Sequence, residues 1–211
     1  MQKLSICLAG GLLAILTGCG DTPAPGPAAK KEIEKLEPVT GQIAIYRMYG
    51  LARTWAPDAQ VLEMQNIHLS ETKESAPGTA AAWEAVFVSA EKAKSRSYTY
   101  SIVQGEDNLH KGAFAGPEDA IAGAQGVRTP FLMAAVKIDS DAAYKTAMET
   151  ASTKAADYDK KNPGKPITIL LEKTNKHPDA AWRIVWGASV GTSDFSVVID
   201  ASTGAFLETI R

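Results

Sequence analysis

The chain has 211 residues, of which 45% are hydrophobic and 22% charged, a balance that suits one ordinary globular domain or two small ones and excludes disorder throughout. Its 22 basic and 24 acidic residues leave a net charge of −2 and are spread along the sequence. Without a basic block, neither a nucleic-acid partner nor a general attraction to anionic membranes is indicated.

The first eighteen residues differ sharply from the rest. Lys3 gives a minimal positive start, and Leu4 to Leu16 form an apolar run of about a dozen residues, long enough for a signal-peptide core and too short to span a bilayer. The run ends in Leu16-Thr17-Gly18-Cys19. This stretch resembles the lipobox of bacterial lipoproteins, which implies cleavage between Gly18 and Cys19 and a diacylglycerol on the Cys19 thiol. The plainer alternative is an ordinary cysteine beside a cleaved secretory signal. In either case Cys7 leaves with the signal, no second cysteine remains for a disulfide, and the mature domain must rely on its apolar core. Two or three acyl chains, palmitate among them, hold a protein on a membrane almost permanently at roughly 0.8 kcal/mol per buried methylene. Gly20 follows the cysteine where an aspartate would signal retention; in a Gram-negative cell the resemblance then implies the outer membrane, facing the periplasm.

Residues 19–38 read as the lipidated cysteine and a tether, because Pro23, Pro25 and Pro27 forbid a helix and extend the chain. Beyond it, Thr40 is positioned to cap a helix whose stripe is Ile45, Met48, Tyr49, Ala52 and Trp55, closed by Pro57 and Asp58. Three strand candidates follow, at 61–69, 81–88 and 97–103. "GAQGV" at 123–127 has glycines but no flanking strand and helix, so it reads as a loop. Ser140 and Asp141 start a second helix, with Tyr144, Ala147, Met148, Ala151, Ala155 and Tyr158 on one face and a stop at Pro163 and Gly164. Strand candidates then recur at 167–173, 180–187 and 195–200.

The order helix, strand, strand, strand thus occurs twice, and "AAW" occurs at 81–83 and again at 180–182. This predicts an α+β fold of two tandem modules, 39–115 and 116–211, each a helix packed on a small antiparallel sheet. The last hairpin, an apolar strand ending in Asp200, then Ala-Ser-Thr-Gly204 and a strand from Ala205 to Ile210, is similar to the terminal hairpin of PepSY and PepSY-like domains. Residues 139–149 are similar to the helix start of those domains. The resemblance covers roughly 131–211 and is weaker over 40–115, where "VQGEDNLHKG" departs from the Asp-x-x-Thr-Gly turn. It implies exported modules that bind proteins or regulate peptidases.

Little in the sequence points to catalysis. Within "DASTG", Asp200 with Ser202, Thr203 and Gly204 reads as a turn, since the carboxylate can accept from amides two and three residues on. His68, His110 and His177 are isolated and show no metal-ligand spacing, so no metal and no cofactor is expected. Glu84, Asp107 and Glu172 are carboxylates that a hydrolase could pair only through the fold. Trp55, Trp83 and Trp182 fit core stripes, and Trp186, beside Gly187, could be core or contact surface. The expectation is a non-enzymatic, membrane-anchored binding module with a protein or peptide partner in the envelope. The alternative is an inhibitor or regulator, acting in trans, of an exported peptidase.

Overall fold

A computed structural model describes residues 37–69, 76–105, 109–121 and 128–211. Gly18 and Cys19, the tether up to residue 36, Asp107 and the 123–127 loop lie outside the described residues. In chain order the elements are β1 (Val39–Thr40), α1 (Gly41–Trp55), β2 (Gln60–Ile67), β3 (Thr79–Ala80), β4 (Ala82–Ser89), β5 (Lys94–Ser101) and β6 (Gly112–Ala120). Then come α2 (Ser140–Glu149), α3 (Ala155–Lys161), β7 (Ile167–Glu172), β8 (Ala181–Trp186), β9 (Ser196–Asp200) and β10 (Phe206–Ile210). The fold is α+β, with a large antiparallel sheet and few helices.

The strands do not form two small sheets. They form one eight-stranded sheet in the order β10-β9-β8-β7-β2-β4-β5-β6, and β1 pairs separately with β3. The two four-strand sets join where β2 meets β7, through Glu63–Gln65 opposite Leu170–Glu172. An unpaired strand edge carries a row of open backbone donors and acceptors, and this pairing satisfies them. Residues Lys35–Arg211 accordingly form one compact unit. The boundary expected at 115/116 falls inside β6, because that strand stays paired with β5 as far as Ala120 opposite Lys94.

Helices cover one face of the sheet. Beneath α1 lie Met64, Trp83, Ala85 and Phe87, and beneath α2 and α3 lie Ile169, Trp182, Ile184, Trp186 and Val197, all buried. Trp83, Trp182 and Trp186 are fully buried. At 25 cal/mol per Å², a tryptophan that buries 150–250 Å² contributes on the order of 4–6 kcal/mol before entropy is charged against it.

The two sets correspond in detail. Trp83 donates its indole N–H to the Val39 carbonyl (3.1 Å), two residues ahead of α1, and Trp182 donates to the Ile138 carbonyl (2.8 Å), two residues ahead of α2. Both bonds span 44 residues. Ile102 N–H bonds Ala81 O in the first set and Ala201 N–H bonds Ala180 O in the second. Each matched pair lies 99 residues apart, and so do Gly41 and Ser140, which touch: the Gly41 amide donates to Ser140 Oγ at 2.7 Å.

That contact replaces the expected cap. Thr40 sits at the N-cap of α1, yet its hydroxyl makes no capping bond and is buried without a partner. The amides of α1 are instead capped from the other set, Gly41 by Ser140 and Gln42 by Asp139 Oδ1 (2.8 Å). Asp139 also accepts from Ser140 N, so one Asp-Ser pair serves both helices. The second helix is interrupted as well. The Thr153 hydroxyl bonds the Ala147 and Thr150 carbonyls and accepts from Ala155 N, residues 151–153 wind as a 3₁₀ turn, and Lys154 is left-handed at φ 63°. Local hydroxyl-to-backbone bonds of this kind compete with helix continuation.

Candidate functional site

The β2–β7 seam is closed at one end and open at the other. Past Gln65 the backbone pairing stops, and the Asn66 side chain takes over: its Oδ1 accepts from Ile169 N (2.7 Å) and its Nδ2 donates to Ile167 O (3.2 Å). A side-chain amide presents the same donor and acceptor as a peptide group but adds its own width between the strands. Two residues on, His68 Nε2 lies 2.8 Å from Thr168 Oγ1, and Thr168 donates to Gly187 O at 2.8 Å. With the hydroxyl proton so committed, His68 donates from Nε2. Burial holds the His68 imidazole below its ordinary pKa of 6.5, so the ring is neutral at pH 7.

The strands splay around these side chains and leave a cleft of about 610 Å³. One wall is the end of β2 and the two residues after it, Asn66 to Leu69. The opposite wall is Gly164 to Ile167, with Ile169 deeper, and the β3 segment Ala76–Ala81 and Tyr144 of α2 complete it. The lining mixes apolar residues such as Ile67, Leu69, Ile167 and Ile169 with polar Asn66, His68 and Thr79, and burial raises the Tyr144 phenol above its ordinary value. Lys165 is its cation, tied to Asp194 Oδ1 (3.1 Å) and to Tyr158 OH (2.6 Å). The size and the mixed lining suit a small ligand or a few residues of extended chain.

The sheet face away from the helices carries charge. Glu63 and Glu172 stand directly opposite across the seam, and Arg128 Nε bridges them at 2.9 and 3.0 Å. Burial raises the Glu63 carboxyl above 4.5, Arg128 pulls it down, and Glu172 and Glu84 push it up again. Two of the carboxylates that the sequence could not pair, Glu84 and Glu172, therefore flank one residue, Glu63. A neighbouring hollow of about 160 Å³ is lined by Glu172, Lys176, His177, Arg183 and Glu208, among others. There Glu208 is held by Lys176 and by His177 Nε2 (2.8 Å). Burial raises its pKa, but those hydrogen bonds outweigh burial and leave it low.

The other candidates resolve structurally. Asp200 Oδ1 accepts from Ser202 N (2.8 Å), Ser202 Oγ (2.7 Å) and Thr203 N (2.8 Å), and Gly204 turns at φ 77°; "DASTG" is a turn. Trp186 is core, its indole donating to Asp159 Oδ1 at 2.9 Å. Trp55 is half-buried and donates to Glu118 of β6 (2.8 Å). His110 packs on Phe114, ring centres 4.4 Å apart. The three histidines lie in three different places, and among the described residues no three His, Cys, Asp or Glu are grouped to hold a metal. No helix of the described residues is long and apolar enough to cross a membrane. Asn66 is the site residue that sequence reasoning missed; a polar residue with polar Gln65 beside it, inside a run otherwise suited to a strand, was its only signal.

No protein-family model matches the chain, and neither does any curated protein sequence. Among solved structures, the chain is similar to a crystal structure of a "putative lipoprotein" from Clostridium difficile 630, with 9% identity over 79% of this chain and 91% of that one and a TM-score of 0.42. A likeness that loose transfers neither fold nor role.

Proposed function

We propose that the protein is an exported lipoprotein, anchored through acylated Cys19, that binds a protein or peptide segment of the cell envelope without turning it over. The observation that carries the binding reading is the cleft at the seam, where Asn66 and His68 hold β2 and β7 apart around about 610 Å³. A sheet that opens between its two central strands offers an extended segment strand-like walls on both sides. The shared 99-residue spacing of the tryptophan bonds supports the reading of two divergent PepSY-like copies, fused through one sheet, with the site at their junction.

Two experiments test this. Cells carrying Cys19→Ala should release the protein into the soluble fraction; continued membrane attachment contradicts the anchor. Envelope partners captured by the acylated protein should be lost with Ile67→Trp, which fills the cleft, and kept with Lys160→Trp on the helical surface. Equal capture by both variants contradicts the cleft. An exported peptidase among the cleft-dependent partners would favour the inhibitor alternative, to be followed by protease kinetics.

A further inference from the structure

The matched helices expose two different kinds of surface. At the 99-residue spacing, Ile43, Tyr46 and Gly50 of α1 correspond to Ala142, Lys145 and Glu149 of α2. The α2 positions are ordinary solvated ones: Lys145 and Glu149 are about 70% exposed and form an i,i+4 ion pair at 3.9 Å. In α1, Ile43 is 47% exposed, Tyr46 56% and Leu51 37%. The fold therefore does not require a large aromatic side chain at position 46, since the equivalent place in the other helix carries Lys145.

The charge on α1 is also one-sided. Its sequence, GQIAIYRMYGLARTW, contains Arg47 and Arg53 and no carboxylate. Arg53 donates to Tyr49 OH (3.2 Å), and neither arginine has an acidic partner among the described residues. Ile43, Tyr46, Arg47, Gly50 and Leu51 thus form an apolar strip with a cation beside it on the first turns of the helix. Glu118, held by Trp55, stands at the far end of the helix, beyond the strip.

We infer that this face of α1 rests in the headgroup layer of the bilayer that holds the lipid anchor, against anionic phospholipid. An amphipathic helix with arginine beside aromatic and aliphatic side chains lies in that layer through apolar burial and attraction to anionic lipid. The inference depends on the lipid-anchor reading of Cys19. The tether enters the folded part immediately ahead of α1, and the 19 residues from Gly20 to Pro38 reach at most roughly 65 Å at full extension. The bilayer is consequently the surface this helix meets at the highest effective concentration, so a contact too weak to localise a free protein suffices to orient an anchored one.

The test uses the full acylated protein, in which an introduced cysteine is the only free thiol. Tyr46→Cys and, as a control, Lys145→Cys each receive an environment-sensitive fluorophore and are reconstituted into vesicles of phosphatidylethanolamine and phosphatidylglycerol. The expected result is a blue shift at position 46, loss of its emission to a nitroxide-bearing lipid, and neither effect at 145. Vesicles of phosphatidylcholine alone should weaken both effects. Protein that floats with the vesicles but shows no shift at 46, or equal shifts at both positions, overturns the inference. A shift at 46 that occurs only in native envelope vesicles also overturns it and makes a protein the occupant. Failure to float at all sinks the anchor reading, and the inference falls with it.

Discussion

Ser140→Ala tests the trans cap that joins the two halves of the molecule. Ser140 is fully buried; its hydroxyl accepts from Gly41 N at 2.7 Å and donates to Gly78 O at 2.6 Å. Alanine leaves almost no cavity, so the loss is mainly that of two buried backbone groups without partners, each worth about 1–3 kcal/mol, with the cap included. Some relaxation toward Asp139 lowers the sum, and a destabilisation of roughly 2–5 kcal/mol is expected. For a folded unit of this size that corresponds to a fall in Tm of about 5–15 °C. Thr40→Val is the counterpart: Thr40 occupies the N-cap position but its hydroxyl is buried and unbonded, so valine should be neutral or stabilising by up to about 1 kcal/mol. Urea unfolding followed by tryptophan fluorescence measures both. A cost below about 1 kcal/mol for Ser140→Ala, or a cost for Thr40→Val as large as that for Ser140→Ala, would refute the trans cap.

Three further outcomes are expected. Asn66→Leu removes the amide that bridges Ile167 and Ile169 and should cost about 2–4 kcal/mol, with faster hydrogen exchange at the Ile169 amide as the local sign. Gly41→Ala places a Cβ 2.6 Å from Trp182 Cη2 and 2.9 Å from Met64 Cε, and overpacking of this kind should destabilise by about 1–3 kcal/mol in thermal unfolding. Glu208 titrates below its ordinary 4.5, so its contribution to stability is present above that pH and disappears as pH falls through its folded value. Glu208→Gln should therefore be less stable than the parent at pH 7 and converge with it in acid; a constant gap across the pH range contradicts the ion-pair account.

The elements that were legible in the sequence are those whose pattern is set by one buried face. Trp182, Ile184 and Trp186 alternate because β8 is covered on one side, and Ile45, Met48 and Ala52 repeat because α1 is. The tryptophans of the two "AAW" stretches each bond a carbonyl two residues ahead of a helix, which the shared tripeptide alone does not reveal. β6 carries no strand pattern in the sequence, since Gly112, Gly116 and Pro117 interrupt it; an edge strand tolerates them, with Gly116 close against Ser97. The break between α2 and α3 was missed because the apolar spacing runs through it and only Thr153, bonding backward, marks it. Of the candidate cleft, the strand patterns at 61–69 and 167–173 supplied the two principal walls. The cap from Ser140 and the Asn66 wedge join residues about 100 positions apart, which no local pattern records.

Whether the opening between β2 and β7 holds a partner in the native envelope is tested in intact cells by a photo-crosslinking residue at position 67, inside the cleft, compared with one at Lys160 on the helical surface. A discrete, reproducible adduct is expected from position 67, absent from position 160 and reduced when Asn66→Leu alters the seam. No adduct from position 67, or the same adducts from both positions, would contradict it.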